Sequence, residues 1–191
     1  MKVIAINGSA RKNGNTYKLL NLVTDELNDE GIDTEIVELA GKPVQGCIAC
    51  YKCFEKKDKR CNVDKDELNT YIEKMLEADG ILLGSPTYFA DVSATMKALI
   101  ERAGMVARAN EDMFKRKAGA GVVAARRGGA THVFSSLNYF FLIGQMIIPG
   151  SVYWNFGIGK DPGEVMNDEE GVRTMQILGK NMAWILKKIH A

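Results

Sequence analysis

The chain has 191 residues, 46% of them hydrophobic and 26% charged, which is enough to bury a sizeable core and suits one domain, 1–191. Lysine and arginine number 25 against 24 for aspartate and glutamate, so no charge imbalance points to nucleic acid or a membrane surface. Apolar runs such as Phe140 to Ile143 fall far short of a bilayer span, and the N-terminus enters a strand-like Lys2-Val-Ile-Ala-Ile6 with no signal-peptide pattern. The expectation is a cytoplasmic protein with no nucleic-acid or membrane partner.

Along the chain, apolar strands alternate with amphipathic helices. Val3 to Ile6 is a short buried run that breaks at Asn7-Gly8-Ser9. A helix is predicted from about Asn15, with Leu19, Leu20, Val23 and Leu27 at helical spacing, ending near Gly31. Thr34 to Leu39 alternates like a strand and is followed by a cysteine-rich stretch, 40–64. Leu68, Ile72, Met75 and Leu76 mark a helical face ahead of a strand at Gly80 to Leu83, and Met96, Leu99 and Ile100 mark the next helix. Ala118 to Ala125 reads as a small-residue strand, Phe134 to Gly144 as a helix and Ser151 to Phe156 as a fifth strand. The last helix carries Met175, Leu178, Met182, Ile185, Leu186 and Ile189.

This alternation implies βαβ units and an α/β fold: a doubly wound, five-stranded parallel sheet in the order 2-1-3-4-5, with the cysteine-rich loop inserted after strand two. Right-handed crossovers send the loops beginning at Asn7, Ala40, Gly84 and Arg126 to the same carboxyl edge. A ligand is expected there, at the switch between strands one and three, with the cysteine loop on its side of the molecule.

The first of these loops, Gly8-Ser-Ala-Arg-Lys-Asn-Gly-Asn-Thr16, follows a strand and opens a helix, where backbone N–H groups and the helix dipole favour an anion. Ser9, Asn15 and Thr16 add polar donors and Arg11 a charged one. The loop lacks both the G-x-G-x-x-G and the P-loop patterns, so a lone phosphomonoester, as on FMN, fits better than a pyrophosphate. Ordinary helix capping is the alternative. The loop opening Gly84-Ser-Pro-Thr-Tyr-Phe89, which carries Pro86, Thr87, Tyr88 and Phe89, offers a flat aromatic wall for a planar ring. In Ala124-Ala-Arg-Arg-Gly-Gly-Ala-Thr131, Gly128 and Gly129 permit close backbone approach. Arg126 or Arg127 can place positive charge near a reduced flavin, or simply lie in solvent.

All four cysteines, Cys47, Cys50, Cys53 and Cys61, lie in one segment with the spacing C-x2-C-x2-C-x7-C. The first three are too close together for separate unstrained disulfides, and clustered free thiols fit a reducing compartment. Such density suits an iron–sulfur cluster. A four-thiolate zinc site and a metal-free, redox-labile loop are the alternatives.

Together the Asn-Gly-Ser-Ala-Arg-Lys-Asn-Gly-Asn-Thr strand end, the Gly-Ser-Pro-Thr-Tyr loop and the compact cysteine motif resemble the NADPH-dependent FMN reductase family, and within it the iron–sulfur flavoproteins. The resemblance implies a flavodoxin-like fold, FMN, a 4Fe–4S cluster held by Cys47, Cys50, Cys53 and Cys61, and a homodimer or homotetramer. It implies phosphate binding by Ser9, Arg11, Asn13, Asn15 and Thr16, and ring contacts from Pro86, Thr87, Tyr88 and Phe89, with Arg126, Gly128 and Gly129 beside them. No side chain is expected to be catalytic, because the cofactors carry the chemistry.

Three functions are consistent with these features. The first is an electron-transfer flavoprotein, taking electrons from a ferredoxin-like donor through cluster and FMN to a small-molecule acceptor. The second is an NAD(P)H-dependent flavin or quinone reductase without a cluster. The third is a zinc-stabilised binding protein. Strand two is the sheet edge, so within one chain the cysteine loop is expected roughly 10 Å or more from the ring. Tyr51 and Phe54 on that loop would be costly to leave exposed and could pack on a partner, so one subunit's cluster is expected to serve another subunit's flavin; a loop folded back on its own sheet is the alternative.

Overall fold

The computed structural model describes all 191 residues. Five parallel strands form one sheet in the order β2-β1-β3-β4-β5. They are β1 (Lys2–Asn7), β2 (Asp33–Glu38), β3 (Gly80–Pro86), β4 (Ala118–Ala125) and β5 (Phe156–Ile158). The helices are α1 (Asn15–Asp29), α2 (Lys52–Lys56), α3 (Leu68–Glu77), α4 (Ala94–Ala109), α5 (Ala130–Ile143) and α6 (Glu169–Ile189), with a 3-10 turn at Glu164–Asn167.

The central strands are buried on both sides, so their alternation sorts residues between two cores instead of between core and water. Ile4, Ile6, Ile81 and Leu83 face α3, α4 and α5, joining Met75, Leu99, Val106, Leu137 and Phe141. Val3, Ala5 and Leu82 face α1 and α6, joining Leu20, Val23, Leu27, Met175, Leu178 and Met182. None of the helices is long and apolar enough to cross a membrane.

The sequence reading differs from the structure at three places. The fifth strand is Phe156–Ile158, not Ser151 to Phe156: its three residues pair with Val123, Ala124 and Ala125. Val152, Tyr153 and Trp154, which carry the β-like pattern, are instead exposed, with Tyr153 and Trp154 packed edge to face at 4.6 Å. Helix α5 begins at Ala130, four residues before Phe134, because Gly129 at φ +87° turns the chain into it. Between β2 and α3 the cysteine-rich segment holds the five-residue α2, flanked by left-handed Tyr51 and Lys57.

Candidate functional site

At the carboxyl edge the β1 and β3 loops are locked together. Gly8 N–H donates to the Gly84 carbonyl at 2.8 Å. Ser93 caps α4, its Oγ accepting from Met96 N–H and donating to the Gly8 carbonyl at 2.7 Å. Only glycine allows this approach at position 8, since a Cβ there would lie 2.9 Å from Met96 Cβ and 3.1 Å from the Gly84 carbonyl.

The frame borders a cavity of about 280 Å³ lined by Ser9, Arg11, Gly14, Asn15 and Thr16 after β1, Pro86, Thr87 and Tyr88 after β3, and Ala124, Ala125 and Arg126 from β4. Gly159, Lys160 and Pro162, after β5, close the far wall. Helix α1 starts at Gly14 without a side-chain cap, leaving its first amides for a ligand. Arg11, Lys160 and Arg126 bring three positive charges, and no acidic residue lines the cavity. Thr87 Oγ1 is buried with no hydrogen-bond partner. A phosphate at the α1 end and a polar ring edge at the Thr87 end match this donor set.

Several expected residues do other work. Asn15 spends its amide on the far wall: Nδ2 donates to the Gly159 carbonyl at 3.0 Å, and Oδ1 accepts from Gly163 N–H at 2.8 Å. It is a clamp on the cavity as well as a lining residue. Asn13, Phe89, Gly128 and Gly129 do not line the cavity. Asn13 is a left-handed turn residue at φ +54°, and Phe89 is fully exposed at the tip of a turn closed by reciprocal Tyr88–Asp91 backbone bonds. The close approach permitted at Gly129 is to Thr87 and Ala90: a Cβ there would meet Ala90 at 3.0 Å. Nothing lies within 4 Å of a Cβ built at Gly128. Sequence reasoning misses Lys160 because the loop it occupies follows β5, and the aromatic run ahead of β5 draws that strand too early.

The four thiols line a second, smaller cavity of about 20 Å³ against α4, together with Ile48, Tyr51, Arg102 and Met105. It shares no residue with the first. Cys47 and Cys50 are exposed, whereas Cys53 is buried and Cys61 half-buried. Cys47 N–H donates to Glu101 Oε2 at 3.3 Å, and the Cys53 thiol reaches the Met105 carbonyl at 3.9 Å. Cys61 is gripped at its backbone by the buried Asn69, which accepts from its N–H at 2.8 Å and donates to its carbonyl at 3.0 Å. Its Sγ accepts from Arg102 Nε at 3.3 Å.

Burial pushes the Cys53 thiol pKa up; nearby backbone amides pull it down, and Cys61 and Cys50 push it further up. Cys50 and Cys61 both lie within electrostatic reach of Cys53, an arrangement that suits a shared cation-rich core. As the side chains stand, no three His, Cys, Asp or Glu groups converge into a metal site: four thiols in one segment fit a cluster by their chemistry, while their present positions and the small space between them do not enclose one. A third, larger cavity of about 640 Å³ adjoins this one, lined mainly by apolar residues including Tyr51, Ile100, Met105, Phe140 and Ile143. Its charged lining residues are Lys97, Glu101 and Arg108, and it lies against α4 and α5 with no strand end on its wall.

Sheet order, strand-end cavity and anion-binding donors define a flavodoxin-like, FMN-dependent oxidoreductase. Comparisons with known proteins agree. The family model of NADPH-dependent FMN reductases matches residues 1–161. An iron–sulfur flavoprotein of Methanocaldococcus jannaschii is 40% identical over 195 residues, covering 99% of each chain. One of Methanosarcina thermophila is 31% identical over 191 residues, covering 99% of this chain and 97% of its own. The fold matches a WrbA-like flavodoxin from Agrobacterium tumefaciens with a TM-score of 0.68 at 12% identity, covering 98% of each chain. The protein belongs to the NADPH-dependent FMN reductase family and, within it, to the iron–sulfur flavoproteins.

Proposed function

We propose that this oxidoreductase holds FMN in the strand-end cavity and a 4Fe–4S cluster on Cys47, Cys50, Cys53 and Cys61, and moves electrons between a ferredoxin-like donor and a small-molecule acceptor. The observation that carries the reading is that every cysteine in the chain lines one cavity, apart from the phosphate-type cavity. When bound, the flavin exchanges electrons in pairs or singly and the cluster exchanges them one at a time.

The chain's own residues bind and orient. Ser9, Arg11, Thr16 and the first amides of α1 hold the phosphate, with Lys160 adding charge from the far wall. Pro86, Thr87 and Tyr88 flank the ring, and Arg126 sets positive charge beside it. No Asp, Glu or His lines this cavity, which leaves no carboxylate or imidazole there to act as general acid or base.

We also propose a homodimer or homotetramer in which one subunit's cysteine loop faces another's flavin. Arg102, against which Cys61 rests, is eight residues into α4, roughly 12 Å from the end of the helix that borders the flavin cavity. Ile48, Tyr51 and Phe54 are exposed beside the large apolar cavity, a patch that a second copy would cover.

The test is anaerobic purification with flavin, iron and sulfide assays and a visible spectrum. One FMN with about four iron and four sulfide per chain, and a broad shoulder at about 400 nm, is the expected result. Flavin bands without iron would leave a plain flavin reductase. Sedimentation as a monomer would sink the intersubunit arrangement.

A further inference from the structure

Arg102 is a charged residue in an apolar stripe. It lies on α4 between Leu99 and Val106, only 1% exposed, where an unpaired charge is costly. Its guanidinium meets both ends of the cysteine segment. Nη1 donates to the Gln45 carbonyl at 3.1 Å and to Asp66 Oδ2 at 2.5 Å, and Nη2 donates to the Val63 carbonyl at 2.5 Å. Nε is directed at Cys61 Sγ at 3.3 Å. A neutral thiol is a weak acceptor, whereas a metal-bound sulfur carries negative charge and makes this a charge-assisted contact.

Its neighbours receive nothing comparable. The Cys53 sulfur faces the Met105 carbonyl, and Cys47 is held through its backbone by Glu101. Cys50 lies within reach of the exposed Lys52, which is paired with Glu55, so a buried cation in hydrogen-bond contact reaches the four-sulfur set only at Cys61.

We infer that Arg102 is a positioning residue that fixes Cys61 as the fourth cluster ligand and raises the reduction potential of the cluster. The inference rests on the cluster reading proposed above. Uptake of one electron from the donor adds one negative charge at the site. No bond to Arg102 forms or breaks, and the guanidinium keeps its proton. A buried cation within hydrogen-bond distance of a ligand sulfur favours the more negative, reduced state, which is the direction of a higher potential.

The experiment uses the anaerobically purified holoprotein, with redox titration followed by the paramagnetic resonance signal of the reduced form and with iron retention measured against a chelator. Arg102→Gln should weaken iron retention on the order of 10–100-fold. It should also make reduction on the order of tenfold less favourable, a fall of about 59 mV for one electron. Arg102→Lys, which keeps the charge and loses the fork, should recover more of the potential than of the retention. Asp66→Asn keeps the guanidinium on Cys61 and removes its counter-charge, so the potential should rise.

Should Arg102→Gln fail to fold, Asp66→Asn decides alone: a rise supports the inference, and no change or a fall overturns it. Loss of iron at an unchanged potential makes Arg102 a loop staple and overturns it too. A wild-type protein that takes up no iron defeats the cluster reading and this inference with it, whereas iron-replete wild type with an unshifted Arg102→Gln defeats the inference alone.

Discussion

The strand-end cavity and the thiol cavity are built by different means. The first takes its geometry from the sheet: strand ends arrive in register, and backbone bonds such as Gly8 N–H to the Gly84 carbonyl hold the loops. The second lies on a long connection away from the sheet, where side chains from two helices supply the order. Asn69 on α3 fixes the Cys61 backbone, and Arg102 on α4 fixes its sulfur and both flanks of the segment. A loop rooted in a sheet inherits precision from backbone pairing. A loop that is not must be held by buried polar side chains.

If the two cavities are separate constructions, each should be removable without the other. The largest effect is expected from Cys50→Ala, which should abolish nearly all bound iron and leave FMN in place. Parallel flavin and iron assays check this, and joint loss of both cofactors would mean that the sites fold as one unit. Arg11→Ala combined with Thr16→Ala should weaken FMN binding by about 2–4 kcal/mol, on the order of 100-fold, by fluorescence titration. Iron content should not move.

A smaller effect is expected at the seam between the β3 and β4 loops. Gly129→Ala places a Cβ at φ +87° and 3.0 Å from Ala90, so it should cost about 1–2 kcal/mol in chemical denaturation. FMN affinity should fall only a few-fold, because the residue does not line the cavity.

The smallest effect concerns pH. Burial would raise the Asp66 carboxyl, but the Arg102 guanidinium and the Gln45 and Leu68 amides more than reverse this, leaving its pKa below the ordinary value. Because the folded value lies below the unfolded one, the group's stabilisation is complete above about pH 4 and is lost as pH falls through the folded value. The melting temperature of metal-free protein should fall as pH drops below about 4, and Asp66→Asn should flatten that slope. An identical slope in the variant would assign the acid sensitivity to other carboxylates.

The sheet order was legible because Val3 to Ile6, Gly80 to Leu83 and Ala118 to Ala125 are apolar on both faces and alternate with helices of clear period. The β1 half of the strand-end cavity could be read for a similar reason: a strand end followed by Ser, Arg, Asn and Thr at a helix start is a local pattern. What was hidden is long-range. Phe156–Ile158 pairs with β4 through only three residues, a signal weaker than the aromatic run before it, and Lys160 is lost with it. Arg102 did leave a trace, as one charge on the Leu99–Val106 stripe, but its partners Gln45, Val63 and Asp66 are scattered through a loop without periodicity.

The Asn15 clamp has a consequence for how the protein is made. A side chain near the start of the chain grips Gly159 and Gly163, about 150 positions later, and α1 also packs against the C-terminal α6. The phosphate loop is thus translated well before the wall bearing Lys160. A nascent chain ending before that wall has the anion-binding amides without their enclosure. On the proposed reading, tight flavin capture therefore waits for the Gly159–Gly163 segment, and a product that stops before Gly159 should be colourless.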